Sequence, residues 1–258
     1  MTKKRKKEQE QLQEQSLPQQ LPNEDLLVAF EKKYQHDAFC KKKLKELKKA
    51  KEFLKFVLEK RTQDALDIDK LVIEPDSYVD EELRRHFVDI LYRVPVKNGK
   101  RRDEVFFALL ELKVNNDQWT MLQVAQYIVN IWKSELDKVR IDKRLNKYLL
   151  PMITPIIFYS GDEPFTAPTE MIDLVQKFPG MEAFVLNVRA ILFDVTSMKV
   201  TEFPEDIGLN VLFRTLQAVF SPDVAERMMD IYNHIEPTLA SFESQQDWED
   251  AIYYATTS

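Results

Sequence analysis

The 258-residue chain has little that could cross-link it or bind a soft metal. It carries one cysteine, Cys40, and three histidines. A lone thiol forms no intramolecular disulfide and no cysteine-based zinc site. His36, His86 and His234 stand far apart and share no ligand spacing. No apolar run approaches the ~18 residues of a membrane-spanning helix. The opening residues, MTKKRKKEQEQLQEQ, are charged but lack the apolar stretch of a secretory signal. A reducing, cytoplasmic setting without a membrane partner is the expectation.

Apolar residues make up 44% and charged residues 31%, the balance of a chain that buries a core rather than of a disordered one. The net charge of −6 conceals an asymmetry. Residues 1–61 hold 17 Lys/Arg against 10 Asp/Glu, whereas the remainder holds 20 against 33. A basic front on an acidic body directs a polyanion partner to the first part of the chain. The pI near 5.3 argues against non-specific coating of nucleic acid.

Composition and periodicity divide the chain into three regions. Residues 1–24, rich in Gln, Lys and Glu, read as a disordered tail. Residues 25–200 read as an α/β core and residues 201–258 as a helical C-terminal region. Asn23 is an N-cap candidate before EDLLVAFEKKY, and a second helix is expected from Asp37 to Glu59. Its lysines form a basic outer face, open to solvent or to phosphates. Leu71–Ile73 and Ser77–Val79 read as extended, and His86–Val96 and Glu104–Val114 as strands of a hairpin turning at Lys97-Asn98-Gly99-Lys100. An amphipathic helix follows over Met121–Val139, then strands at Pro151–Tyr159 and Ala190–Val195, then helices. This order predicts an α/β fold with a mixed sheet and a helical C-terminal appendage.

Two acids interrupt apolar strands: Asp89 in FVDILY and Glu111 in LLELKV. A carboxylate there is costly to bury unless it is paired, hydrogen-bonded or metal-bound. Strand alternation sets Glu111 and Lys113 on one face and Leu110 and Leu112 on the other. Two carboxylates supply oxygen ligands to Mg²⁺ or Mn²⁺, and a lysine beside them suits metal-assisted phosphodiester cleavage. The alternative is a buried ion pair of Glu111 with Lys113 or Arg93 that only sets register. The hairpin discriminates. A two-residue Asn98-Gly99 turn pairs Lys97 with Lys100 and sends Glu111 to the face away from Asp89. A five-residue loop, Asn98 to Arg102, brings Asp89 opposite Glu111, and that longer loop is the expectation.

Five segments, in order, carry a resemblance: HDAFCKKKL, SYVDEELRRHFVDILYRV, VFFALLELK, DQWTMLQVAQYIVNIW and LLPMITPIIFYSGDEPFT. Together they resemble the recombination-promoting nuclease / putative transposase family of the PD-(D/E)XK nuclease superfamily. The resemblance implies an αβββαβ core. It implies metal-dependent endonuclease activity on DNA, with Asp89 and Glu111 as metal ligands and Lys113 as the catalytic lysine. Where this chain has Lys113 the family often has Gln, and where it has Gln123 the family often has Arg. Lys113 restores the wider superfamily pattern, whereas Gln123 weakens a phosphate contact. Asp37 matches an acidic position that could assist the site, an N-cap role being equally open. Gln126 and Tyr127 are candidates for facing the site, with helix packing as their alternative role. A homodimer is expected by analogy with nucleases that cut both strands.

Other conspicuous residues have plainer readings: His86 at a rim, Trp119 and Trp132 in the core, Cys40 as a small buried hydrophobe, and Asp80–Glu82 as a solvated charge run. The competing function is a catalytically inactive DNA-binding or protein-interaction module on the same fold. In that case Leu212, Phe213, Leu216, Val219, Phe220, Met228, Met229 and Ile231 of the C-terminal helices would support self-association or partner docking, their plainer role being to cover the core.

Overall fold

The computed structural model describes residues 35–75, 89–97, 104–141, 148–239 and 241–257. The expected tail, the helix after Asn23, the strand at Ser77–Val79, His86, the Asp80–Glu82 run and the hairpin loop at Asn98–Arg102 lie outside them.

The single helix expected over Asp37–Glu59 is broken. Residues 35–44 are helical (α1), Lys45 and Glu46 turn, and helices follow at Leu47–Val57 (α2) and Lys60–Ala65 (α3). Glu46 adopts an extended backbone, φ −72° and ψ 120°. The break turns Leu47 outward while Phe39 and Leu44 of α1 and Ala50, Phe53 and Leu54 of α2 remain buried on the same core. Hydrophobic spacing alone does not distinguish a continuous stripe from two stripes meeting at a bend.

Five strands form one mixed sheet in sequential order: β1 (Val72–Ile73), β2 (Ile90–Pro95), β3 (Val105–Lys113), β4 (Met152–Tyr159) and β5 (Ile191–Asp194). The first three pair antiparallel; β3–β4 and β4–β5 pair parallel. The parallel β3–β4 pair requires a crossover, supplied by helix α4 (Thr120–Ile141). The αβββαβ order expected above is therefore present, with β5 added at the far edge.

Alternation along β3 separates two cores. Phe106, Ala108, Leu110 and Leu112 pack with α1 and α2, and Val105, Phe107 and Leu109 pack with Met121, Val124, Tyr127 and Ile128 of α4. Of the C-terminal helices α5 (Ile207–Val219), α6 (Val224–Ile235) and α7 (Phe242–Thr257), α5 and α7 pack on the first core, and α6 packs against both through Ile231 and Ile235. Leu212, Phe213 and Leu216 are buried there and cover the core, the plainer of their two expected roles, whereas Met229 is exposed. Trp119 also departs from expectation, being half-exposed, whereas the Trp132 indole donates to the Pro151 carbonyl at 2.9 Å.

The lysine face of α1 and α2 meets carboxylates rather than solvent alone. Lys43 pairs with Asp247 at 2.6 Å and Asp250 at 2.7 Å, Lys49 pairs with Asp247 at 2.9 Å and with Glu46, and Lys42 and Lys48 pair with Asp250 and Glu243. Burial opposes the Lys43 charge, but hydrogen bonds to Asp247 and Asp250 outweigh it and hold the ammonium above its ordinary pKa. Gly208 opens the space for this network, because a Cβ there would collide with Lys49 and the Asp247 carboxylate. Buried His36 ties the same elements together, its Nδ1 lying 2.5 Å from the Tyr254 hydroxyl and its Nε2 2.6 Å from Ser160 Oγ. Burial lowers its pKa to about 4, so the ring is neutral.

Candidate active site

The β2–β3 register decides where the acids stand. Ile90 pairs with Leu110 and Pro95 with Val105, and one further step sets Asp89 opposite Glu111. This is the register of the five-residue loop and excludes the two-residue turn. Beyond the last strand pair, the Asp89 side chain continues the ladder: its Oδ2 accepts the Leu112 N–H at 2.8 Å. Because β2 runs antiparallel to β3, its start lies at the end of β3 that carries Glu111 and Lys113. That end is also the carboxyl end of the parallel β3–β4 pair, where open α/β sheets bind ligands.

Glu111 is buried, with its Oε1 3.0 Å from Lys113 Nζ and its Oε2 without a hydrogen-bond partner among the described residues. Burial raises its pKa to about 7, the Asp89 charge adds to the rise, and Lys113 partly offsets both. Lys113 Nζ also donates to Gln123 Oε1 at 3.0 Å, and the Gln123 amide donates to the Tyr127 hydroxyl. Burial pushes the Tyr127 phenol above its ordinary pKa. Gln123 and Tyr127 sit one turn apart at the start of α4, so helix spacing brings both to the strand end. Asp89 meets a second ammonium, Lys41 Nζ of α1, at 2.6 Å from Oδ1. Two carboxylates thus face two ammoniums, and one buried oxygen is uncommitted.

The family described as "Putative transposase, YhgA-like" matches residues 34–247, most of the chain. The chain belongs to this family. Among curated relatives, recombination-promoting nuclease RpnD of Escherichia coli O157:H7 is 29% identical over 126 residues, 49% of this chain and 45% of its own. Recombination-promoting nuclease RpnA of Escherichia coli K12 is 27% identical over 128 residues, 50% of this chain and 40% of its own. An inactive recombination-promoting nuclease-like protein of the same strain, RpnE, is 23% identical over 127 residues, 49% of this chain and 39% of its own. The matched stretch is thus about half of this chain and somewhat less than half of each relative. No solved structure matches the chain.

Three expected residues, Asp89, Glu111 and Lys113, come together. One does not join them as expected. Gln126 is exposed, and Gln123 is the α4 glutamine that reaches Lys113. Asp37 lies inside α1, which excludes the N-cap role; it stands one turn before Lys41, and its charge acts on the buried Cys40 thiol. Sequence reasoning missed Lys41, since nothing distinguishes it among the lysines of α1 and α2. Among the described residues no group of three or more His, Cys, Asp or Glu side chains is arranged for a metal. The donor set is instead two carboxylates, one with an unsatisfied buried oxygen. That set fits a hard cation that keeps several waters.

Proposed function

We propose that the chain is a metal-dependent nuclease that hydrolyses DNA phosphodiester bonds, using Asp89 and Glu111 to hold Mg²⁺ or Mn²⁺ and Lys113 as the catalytic lysine. The observation that carries this reading is the buried, unpartnered Oε2 of Glu111 opposite Asp89. An acid left in that state is expensive to bury without a ligand. When bound, a divalent cation supplies Lewis-acid polarisation of the phosphate and a more acidic water. The chain's own residues do the rest. The Leu112 N–H orients the Asp89 carboxylate. Gln123, itself held by Tyr127, fixes Lys113 Nζ beside Glu111. From there Lys113 holds an attacking water and offsets the charge that grows on the phosphate oxygens.

Cleavage of supercoiled plasmid with Mg²⁺, Mn²⁺ or EDTA, by the wild type and by Asp89→Ala and Lys113→Ala, tests the reading. The expected result is metal-dependent nicking, reduced about 100-fold or more in each folded variant. Nicking that survives both changes refutes the site. DNA binding without cleavage by the wild type would favour the inactive module, a state that the printed name of RpnE records for a relative.

A further inference from the structure

Resting on that reading, we infer that Lys41 is a built-in competitor of the metal: its ammonium holds Asp89 in the metal-free protein and is displaced by the cation onto a phosphate of the nucleic acid. The geometry sets the two in direct competition. Lys41 Nζ lies 2.6 Å from Asp89 Oδ1, so a cation held by that carboxylate has to share or take the oxygen the ammonium already occupies.

Geometry also selects which ammonium yields. Lys113 is anchored twice, by Glu111 and by Gln123, and its side chain is 16% exposed. Lys41 approaches from another element, α1, on a long flexible stem, and its side chain is 36% exposed against 17% for Asp89. Lys41 is the more exposed of the two ammoniums and so the one placed to withdraw. An outward swing keeps the ammonium at the mouth of the site, where a phosphodiester would bring the negative charge that Asp89 has given up to the metal. The lysine therefore exchanges a carboxylate for a phosphate, which makes metal binding and nucleic-acid binding mutually reinforcing.

Calorimetric titration with Mn²⁺, without nucleic acid, tests the first half. Lys41→Met should bind Mn²⁺ about three- to tenfold more tightly than the wild type, the scale of one partly exposed ion pair, and Lys41→Arg should not. Thermal melts in EDTA verify that the variants are folded. The second half is read by fluorescence anisotropy with a labelled duplex, in a Lys113→Ala background. Mn²⁺ should raise duplex affinity there, and adding Lys41→Met should remove most of that rise. Unchanged or weaker Mn²⁺ binding by Lys41→Met overturns the inference, as does an undiminished rise in duplex affinity. Glu111→Gln separates this from failure of the parent reading. If Mn²⁺ binding ignores Glu111→Gln, the metal site itself is wrong; if binding depends on Glu111 but not on Lys41, only the competitor role is wrong.

Discussion

Glu111 combines burial, a neighbouring like charge and an unpaired oxygen, and its proton affinity reports all three. With the folded pKa raised to about 7 and the unfolded value near 4.5, the folded state holds a proton that the unfolded state has released. Stability of the metal-free protein therefore falls as pH rises from about 4.5 to about 7, and this contribution levels off above that. Glu111→Gln removes the titration. In EDTA its melting temperature should exceed that of the wild type by a margin that grows through this window, equivalent to on the order of 1–3 kcal/mol at pH 8. Melts at pH 5, 6, 7 and 8 check this, and a margin independent of pH would mean that another group titrates. Saturating Mg²⁺ should narrow the margin, because a bound dication favours the ionised acid.

At the scale of elements, α7 neutralises the lysines of α1 and α2. Asp247 receives both Lys43 and Lys49, all three being buried. Removing the acid strands two ammoniums away from water, although Asp250 and Glu46 retain part of their pairing. Asp247→Ala should lower stability by about 2–4 kcal/mol in urea unfolding. The double change Asp247→Leu with Lys49→Met should recover part of that loss, since apolar groups tolerate burial better than a lone charge does. A single-variant effect below about 0.5 kcal/mol would show that the network contributes little. The same pairing answers the charge asymmetry of the sequence. Lys42, Lys43, Lys48 and Lys49 of the basic front meet the acidic body of their own chain, which leaves these four less available to phosphates.

For the whole molecule, an aromatic cluster joins regions far apart in sequence. Phe53 of α2, Phe158 of β4, Phe193 of β5 and Phe213 of α5 lie with ring centroids 5.2–6.0 Å apart in contacting pairs. Such contacts add to the burial of the rings themselves. Phe213→Ala should cost about 3–5 kcal/mol and lower the melting temperature by about 10 °C in a cooperative transition. A change of only 1–2 °C would mean that the C-terminal helices are not integral to this core.

Much of this was legible in the chain, because local rules decide it. β-Branched and aromatic content identified β3, period-2 alternation the shared face of Glu111 and Lys113, and helical periodicity α4 and the C-terminal helices. An acid within an apolar strand marked Asp89 and Glu111, since burying charge is costly wherever the fold places it. Two outcomes escaped those rules. The bend at Lys45–Glu46 leaves the apolar spacing almost unchanged, so the sequence reads as one helix. The partners of individual lysines and glutamines depend on which helix lies over which strand end. Lys41 finds Asp89 across 48 residues of chain, Gln123 rather than Gln126 reaches Lys113, and Lys43 finds Asp247 across 204. The sequence by itself determined the elements, their faces and the presence of two costly acids, because these follow from short-range spacing and from the solvation of charge. Only the tertiary structure decided between the two hairpin registers and set the long-range ion pairs around those acids, because both depend on contacts between segments distant from the local pattern.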